Sequence, residues 1–167
     1  MKDLNSLGLL LVENFLTDNE EAEIVSKIPE TKILKNSGRN SIRRYGSNIP
    51  YKNQMESVDI PDYLDFIAEK IVKSGLLFVK PNSISINEYI KGNFIPHHID
   101  SQQSGPIITI VSLLSDAIME FAYKNNTEKI IIPRLSLIQL KDEIRHKWTH
   151  SILPVQNKRY SIVFRNS

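Results

Sequence analysis

Residues 85–110 read SINEYIKGNFIPHHIDSQQSGPIITI, and the run His98-Ile99-Asp100 inside them decides how the rest is read. On an extended segment, side chains two positions apart point to the same side. His98 and Asp100 can therefore offer a nitrogen and an oxygen to one cation. A third ligand must come from elsewhere, and His150, in Trp148-Thr149-His150, is the best candidate. Two histidines and one carboxylate on one face of an octahedral metal suit mononuclear non-haem Fe(II) and leave coordination positions open. His97 lies on the opposite face to Asp100 in a regular strand, so it reads as a supporting or surface residue. A cupin-type site would instead pair His-x-His with a later glutamate.

Around this run the pattern is that of a barrel. Ile84, Ile86 and Ile90 share one side of Ser83–Ile90, with Ser85, Asn87 and Tyr89 on the other. Further short strands are expected at Ile107–Leu113, Ala117–Ala122, Lys129–Ile132, Leu135–Leu140 and Tyr160–Phe164, separated by turn signals, which indicates a sandwich or barrel. Leu9–Val12 reads as another strand. Thr17 and Glu20 fit a capping box, opening a helix expected to bury Ala22, Val25 and Ile28 and to end near Pro29. Pro61 suits the first turn of a second helix, with Leu64, Ile67, Ala68, Ile71 and Val72 at helical spacing and Gly75 as its stop. The fold class is α+β, mainly β. Residues 1–167 read as a single domain without repeat or linker.

Composition narrows the chemistry. The chain has 167 residues, 41% hydrophobic and 24% charged, with a formal net charge of +2. That balance suits a globular protein and predicts no nucleic-acid binding by itself. There is no cysteine, which excludes disulfides and thiolate metal sites. No apolar run approaches the roughly 20 residues of a membrane-spanning helix, and no signal-peptide pattern opens the chain. The expectation is a cytoplasmic protein with no membrane partner. Residues 31–53 are polar and basic, with Tyr45 and Tyr51, and read as long loops or a loose hairpin.

The final strand carries the second strong signal. Arg159, Ser161, Val163 and Arg165 share a face, while Tyr160, Ile162 and Phe164 pack the other way. The arginine Cα atoms lie roughly 20 Å apart. Their long side chains can hold opposite ends of a short dicarboxylate with charge-assisted bonds. A buried arginine is costly without an anion, so an inward pair argues for an anionic ligand. An outward pair would merely flank an edge strand.

Together, Asn87-Glu88-Tyr89, Gly92, His98-Ile99-Asp100, Ser112-Leu113, Met119-Glu120-Phe121, Pro133-Arg134-Leu135-Ser136-Leu137, Arg145-x-x-Trp148-Thr149-His150 and Arg159 to Arg165 resemble the AlkB family of Fe(II)/2-oxoglutarate dioxygenases. The match runs from about Ile42 to the C-terminus. The Arg-x-x-Trp-Thr-His spelling is closer to the AlkB-like domain of the eukaryotic tRNA wobble-uridine hydroxylase than to bacterial AlkB. The resemblance implies a double-stranded β-helix, or jelly roll, with the N-terminal helices packed on one face. It implies Fe(II) on His98, Asp100 and His150, with O2 as oxidant. It implies that Asn87, Tyr89 and Arg159 hold the distal carboxylate of 2-oxoglutarate, with Arg165 at the 1-carboxylate. Ser161 stands where some members place asparagine, and Arg145 matches an arginine near the metal.

The resemblance also implies that residues 31–53 form a lid over a nucleic-acid substrate, RNA or single-stranded DNA, demethylated or hydroxylated at a base. Arg39, Arg43 and Arg44 would meet phosphates, and Tyr45 or Tyr51 would stack on an extruded base. The small size leaves little room for a dedicated RNA-binding surface, so an auxiliary RNA-binding subunit is expected to supply one. The alternatives are a protein-directed hydroxylase or demethylase of the same family, and a catalytically silent nucleic-acid-binding module. Three positions depart from the family pattern: Leu114 and Asp142 stand where glycine is usual, and Ser151 replaces the glycine after the distal histidine.

Overall fold

The structure is a computed structural model that describes residues 3–31, 38–39, 41–47 and 58–167. In chain order its elements are β1 (Leu9–Val12), α1 (Asp18–Lys27), β2 (Ser41–Gly46), α2 (Asp62–Lys73), β3 (Ser83–Tyr89) and β4 (Ile95–His98). A 3-10 turn at Gln102–Ser104 leads to β5 (Ile108–Leu113), β6 (Ala117–Tyr123), β7 (Asn126–Ile132) and β8 (Leu137–Leu140). The chain ends with α3 (Asp142–His146), β9 (Thr149–Ile152) and β10 (Arg159–Arg165).

Two antiparallel sheets result. The larger runs β1-β8-β5-β10-β3-β2 and the smaller β4-β9-β6-β7. Strands adjacent in sequence repeatedly fall in different sheets, as in a jelly roll. One face of the larger sheet is covered by the helices. Ile24 of α1, Ile28 at its C-cap, and Leu64, Ile67, Ala68 and Ile71 of α2 pack on its even-numbered β3 and β10 positions, including Ile84, Ile86, Ile162 and Phe164. The other face meets the smaller sheet, where Ile108, Ile110, Ile138 and Val163 pack against Met119, Phe121 and Ile152. Period-2 alternation thus sends one set of β10 residues to the helices and the other, Arg159 to Arg165, between the sheets. No helix among the described residues is long and apolar enough to cross a membrane.

The capping box forms: Thr17 Oγ1 accepts from the Glu20 amide at 3.2 Å and the Glu20 carboxylate accepts from the Thr17 amide at 2.8 Å. Of the three residues expected on the buried face of α1, Ile28 is buried and Val25 packs against the core, whereas Ala22 is exposed and Ile24 is buried instead. Glu21 is also buried, since Arg134 and the Leu114 amide neutralise its carboxylate. The expected loop over 31–53 contains a strand, β2, paired with β3 along its length. Tyr51 lies outside the described residues. Two of the three departures from the family pattern sit at left-handed backbone, Leu114 at φ 73° and Asp142 at φ 52°, where glycine is the unstrained residue. Asp142 opens α3 instead of lying in a simple turn. Ser151 falls inside β9, where no turn is required.

Candidate metal and co-substrate site

β4 and β9 pair in antiparallel register with His98 opposite His150, so the two imidazoles stand side by side with ring centroids 4.4 Å apart. Asp100 follows two residues after His98, just beyond the end of β4. One ligand atom from each of the three residues lies within 4.8 Å of the others. His150 Nε2 is 3.4 Å from Asp100 Oδ2. His98 Nδ1 donates to the Pro96 carbonyl at 2.9 Å, which leaves Nε2 as the lone-pair nitrogen facing the cluster. His97 points the other way, to Glu120 at 2.9 Å and Thr149 at 3.2 Å.

The protonation states suit ligation. Burial, then the neighbouring His150, lower the His98 pKa, against the pull of Pro96 and Asp100, and Arg39 adds to the lowering. His98 is therefore neutral near pH 7. Burial alone would raise the Asp100 carboxyl, but His150 and then Arg165 outweigh it and hold the group well below the usual carboxylate range. The donor set is the nitrogens of His98 and His150 and the anionic oxygen of Asp100, with no sulfur.

The arginines of β10 extend from this cluster into the same cavity, of about 530 Å³. Arg165 donates to Asp100 Oδ1 at 3.2 Å and to Ser85 Oγ at 3.1 Å. Arg159 is fully buried and donates through Nε to Ser112 Oγ at 3.1 Å. Its two terminal nitrogens have no hydrogen-bond partner, and nor does the buried Tyr89 hydroxyl. The guanidinium lies 5.1 Å from the Tyr89 ring centroid. Burial lowers the Arg159 pKa, and the nearby Tyr89 hydroxyl offsets part of this without reaching hydrogen-bond geometry. Asn87, across the register from Ser161, donates to its hydroxyl at 3.2 Å. A buried cation with both fork nitrogens unpartnered is costly unless an anion completes it. The geometry suits a small dicarboxylate, one end at Arg159 and the other beside the metal cluster.

The model of the 2OG-Fe(II) oxygenase superfamily matches residues 31–165. The chain belongs to the 2OG-Fe(II) oxygenase superfamily. It is 30% identical over 162 residues to the mouse tRNA (carboxymethyluridine(34)-5-O)-methyltransferase ALKBH8, covering 88% of this chain and 24% of that one. An uncharacterized mimivirus protein, L905, is 31% identical over 99% of this chain and 86% of its own length. The DNA N6-methyl adenine demethylase of Caenorhabditis elegans is 23% identical over 96% of this chain and 60% of its own. The structure of OsALKBH1 superposes with a TM-score of 0.68 at 15% identity, covering 95% and 98% of the two chains. The chain spans about a quarter of the length of the ALKBH8 proteins it matches. These relatives make it an AlkB-like oxygenase, dependent on Fe(II), 2-oxoglutarate and O2. The donor set of the cluster fits Fe(II), and the unpartnered nitrogens of Arg159 fit a carboxylate of the co-substrate.

The candidate substrate residues divide. Arg44 lines the oxygenase's cavity and Arg43 and Tyr45 do not. The β2–β3 register sets Arg44 opposite Ser85 and Arg43 opposite Ile86, so alternation sends Arg43 and Tyr45 to the helix side. There Arg43 bonds to the Pro29 carbonyl and pairs with buried Glu88 at 3.7 Å, and Tyr45 packs on the helix-side core. Neither is placed to meet substrate from this cavity.

Four contributors escaped the sequence reading. Ser85 and Ser112 orient the two strand arginines, a role visible only as the inward alternation they share with Asn87 and Ser161. Phe94 and Ile99, 44% and 39% exposed, line the cavity mouth. Only their position flanking His98 hinted at this. Arg145, whose role the sequence left open, is fully buried. It donates to the carbonyls of Asp100 at 2.9 Å, Ser101 at 2.6 Å and Gly105 at 3.2 Å, fixing the backbone that presents Asp100.

Proposed function

We propose that this oxygenase oxidises a modified base in single-stranded nucleic acid, with RNA preferred, by hydroxylation or by oxidative demethylation. His98, Asp100 and His150 hold Fe(II). Arg159, supported by Asn87, Tyr89 and Ser161, binds the distal carboxylate of 2-oxoglutarate, and Arg165 faces its other end. When bound, the metal and co-substrate supply the oxidation: O2 and 2-oxoglutarate give succinate and CO2, and one oxygen atom enters a substrate C–H bond. On an N-methyl group the product loses formaldehyde; on other carbons the hydroxyl remains.

The protein's own part is positional. Asp100 and the two histidines leave one side of the cluster open toward the mouth. Arg159, at the dry end, fixes the co-substrate's orientation through a group that cannot lose its proton. The apolar walls at Ile110, Met119 and Ile152 exclude water. The observation that carries the reading is that the metal cluster, the unpartnered arginine and a mouth bearing Arg39 and Arg44 share one cavity. The relatives named for a tRNA wobble uridine and for N6-methyladenine in DNA support a nucleic-acid substrate.

The test is succinate release from anaerobically purified protein supplied with Fe(II), 2-oxoglutarate, ascorbate and O2, with and without methylated RNA oligonucleotides. His98→Ala and Arg165→Ala serve as controls. Succinate formation is expected to need both residues and to rise with at least one oligonucleotide. Turnover that no oligonucleotide stimulates, but that a peptide does, would move the substrate to protein. No succinate above the controls despite confirmed metal loading would leave a binding module.

A further inference from the structure

The mouth of the cavity is one-sided in charge. Among the described residues, Asp100 is the only carboxylate lining it, against Arg39, Arg44, Arg159 and Arg165. Asp100 is already committed to His150 and Arg165. When 2-oxoglutarate engages the two strand arginines, its charges are met there, and Fe(II) outweighs the single carboxylate among its ligands. The balance left for an incoming group is positive before Arg39 and Arg44 are counted. Arg39 lines the same cavity as His98, Asp100 and His150. It sits on a fixed backbone: the neighbouring Gly38 carbonyl accepts from the Phe94 amide at 2.6 Å. A Cβ on Gly38 would come within 2.5 Å of the Phe94 carbonyl oxygen, so only glycine allows this approach. Residues 31–53 contain six lysines and arginines and no aspartate or glutamate. The uncharged part of the mouth is apolar, at Ile42, Phe94 and Ile99.

A positively charged group placed here would face two arginines across a low-dielectric mouth where, among the described residues, the one lining carboxylate, Asp100, is already held by His150 and Arg165, which is a strong repulsive selector. A neutral ring would lose nothing on the apolar rim, and an anionic one would gain charge-assisted bonds. We propose that the base admitted to this site carries no positive charge, and that Arg39 and Arg44 are the specificity-determining residues that reject cationic N-alkylated bases in favour of neutral or anionic ones. This rests on the nucleic-acid reading above and sharpens it to a charge class.

The experiment compares single-stranded RNA oligonucleotides of one sequence carrying, at one position, 1-methyladenine or 3-methylcytosine (cationic), N6-methyladenine (neutral) or 5-carboxymethyluridine (anionic). Succinate release and the mass of the oligonucleotide are followed for wild type, Arg39→Glu and Arg44→Glu. At least one uncharged or anionic base is expected to exceed both cationic ones by tenfold or more in kcat/KM. Each charge reversal is expected to shift that ratio toward the cationic bases by a similar factor. Equal or better turnover of the cationic bases overturns the proposal. A ratio unmoved in both variants removes Arg39 and Arg44 from the role. The corresponding free nucleosides are ranked in parallel by their effect on substrate-free succinate release. Failure of every oligonucleotide then overturns the nucleic-acid reading, while the nucleoside order still decides the charge class, and an absent or reversed order overturns it.

Discussion

Arg145 shows how a single side chain can set a metal site without touching the metal. Its guanidinium is fully buried and bonds to three carbonyls of the segment that follows His98. Burial lowers its pKa and the Asp100 charge opposes that shift, so part of its compensation is the ligand it positions. Five residues later the same segment supplies His150, and one short stretch thereby fixes two of the three candidate ligands. Arg145→Lys keeps the charge, but one ammonium cannot span three carbonyls as a planar fork does. Loss of such supporting contacts typically weakens metal binding by about 10- to 100-fold. Titration of the metal-free variant with Co(II), followed by visible absorption, is expected to show that loss in protein whose circular dichroism is unchanged. Unaltered Co(II) affinity in folded Arg145→Lys would reduce the residue to general packing.

At the scale of the element, strain and alternation account for what the sequence did and did not disclose. Leu114 follows β5 directly at φ 73°, a conformation that costs a non-glycine residue about 1–2 kcal/mol. Its amide is held at 2.6 Å by Glu21 from α1, and Arg134 binds the same carboxylate. Leu114→Ala removes packing and keeps the strain, whereas Leu114→Gly removes both. The glycine variant is expected to be the more stable of the two by about 1 kcal/mol in urea unfolding, the reverse of the usual order. An alanine variant at least as stable would mean that the turn relaxes without help. The strands β3 and β10 were legible because apolar and polar residues alternate over seven positions. β2 was not: in Ser41-Ile42-Arg43-Arg44-Tyr45 two adjacent arginines hide the period, and Arg43 is half-buried on the helix side because Glu88, opposite Ser41 on β3, pairs with it. β9 escaped as well, being four residues with His150 and Ser151 buried among them. On α1, Val25 and Ile28 pack as expected, but Glu21 looks like a solvent residue until Arg134, distant in sequence, is brought beside it.

Taken as a whole, the molecule divides its labour across one sheet. The larger sheet buries two separate apolar clusters, one beneath α1 and α2 and one between the sheets. The candidate site draws its side chains from the second face only. Both His98 and His150 stand on the smaller sheet, Arg159 and Arg165 on the inner face of the larger, and none on a helix. This architecture was readable from the spacing of short strands and the His-x-Asp run. The placement of residues around the mouth was not, because it depends on pairing between segments some 40 positions apart, as Arg44 with Ser85. The division implies that stability and site geometry can be separated. Ile67 of α2 is fully buried against the outer face of the sheet, and truncating such an isoleucine to alanine costs about 2–5 kcal/mol. Ile67→Ala is therefore expected to lower the urea midpoint strongly while the folded protein keeps its Co(II) affinity within twofold, because β3 and β10 are braced on their inner face by the smaller sheet. If affinity falls in step with stability while the variant remains folded, the helix layer is shaping the metal site through the sheet, and the two faces act as one unit.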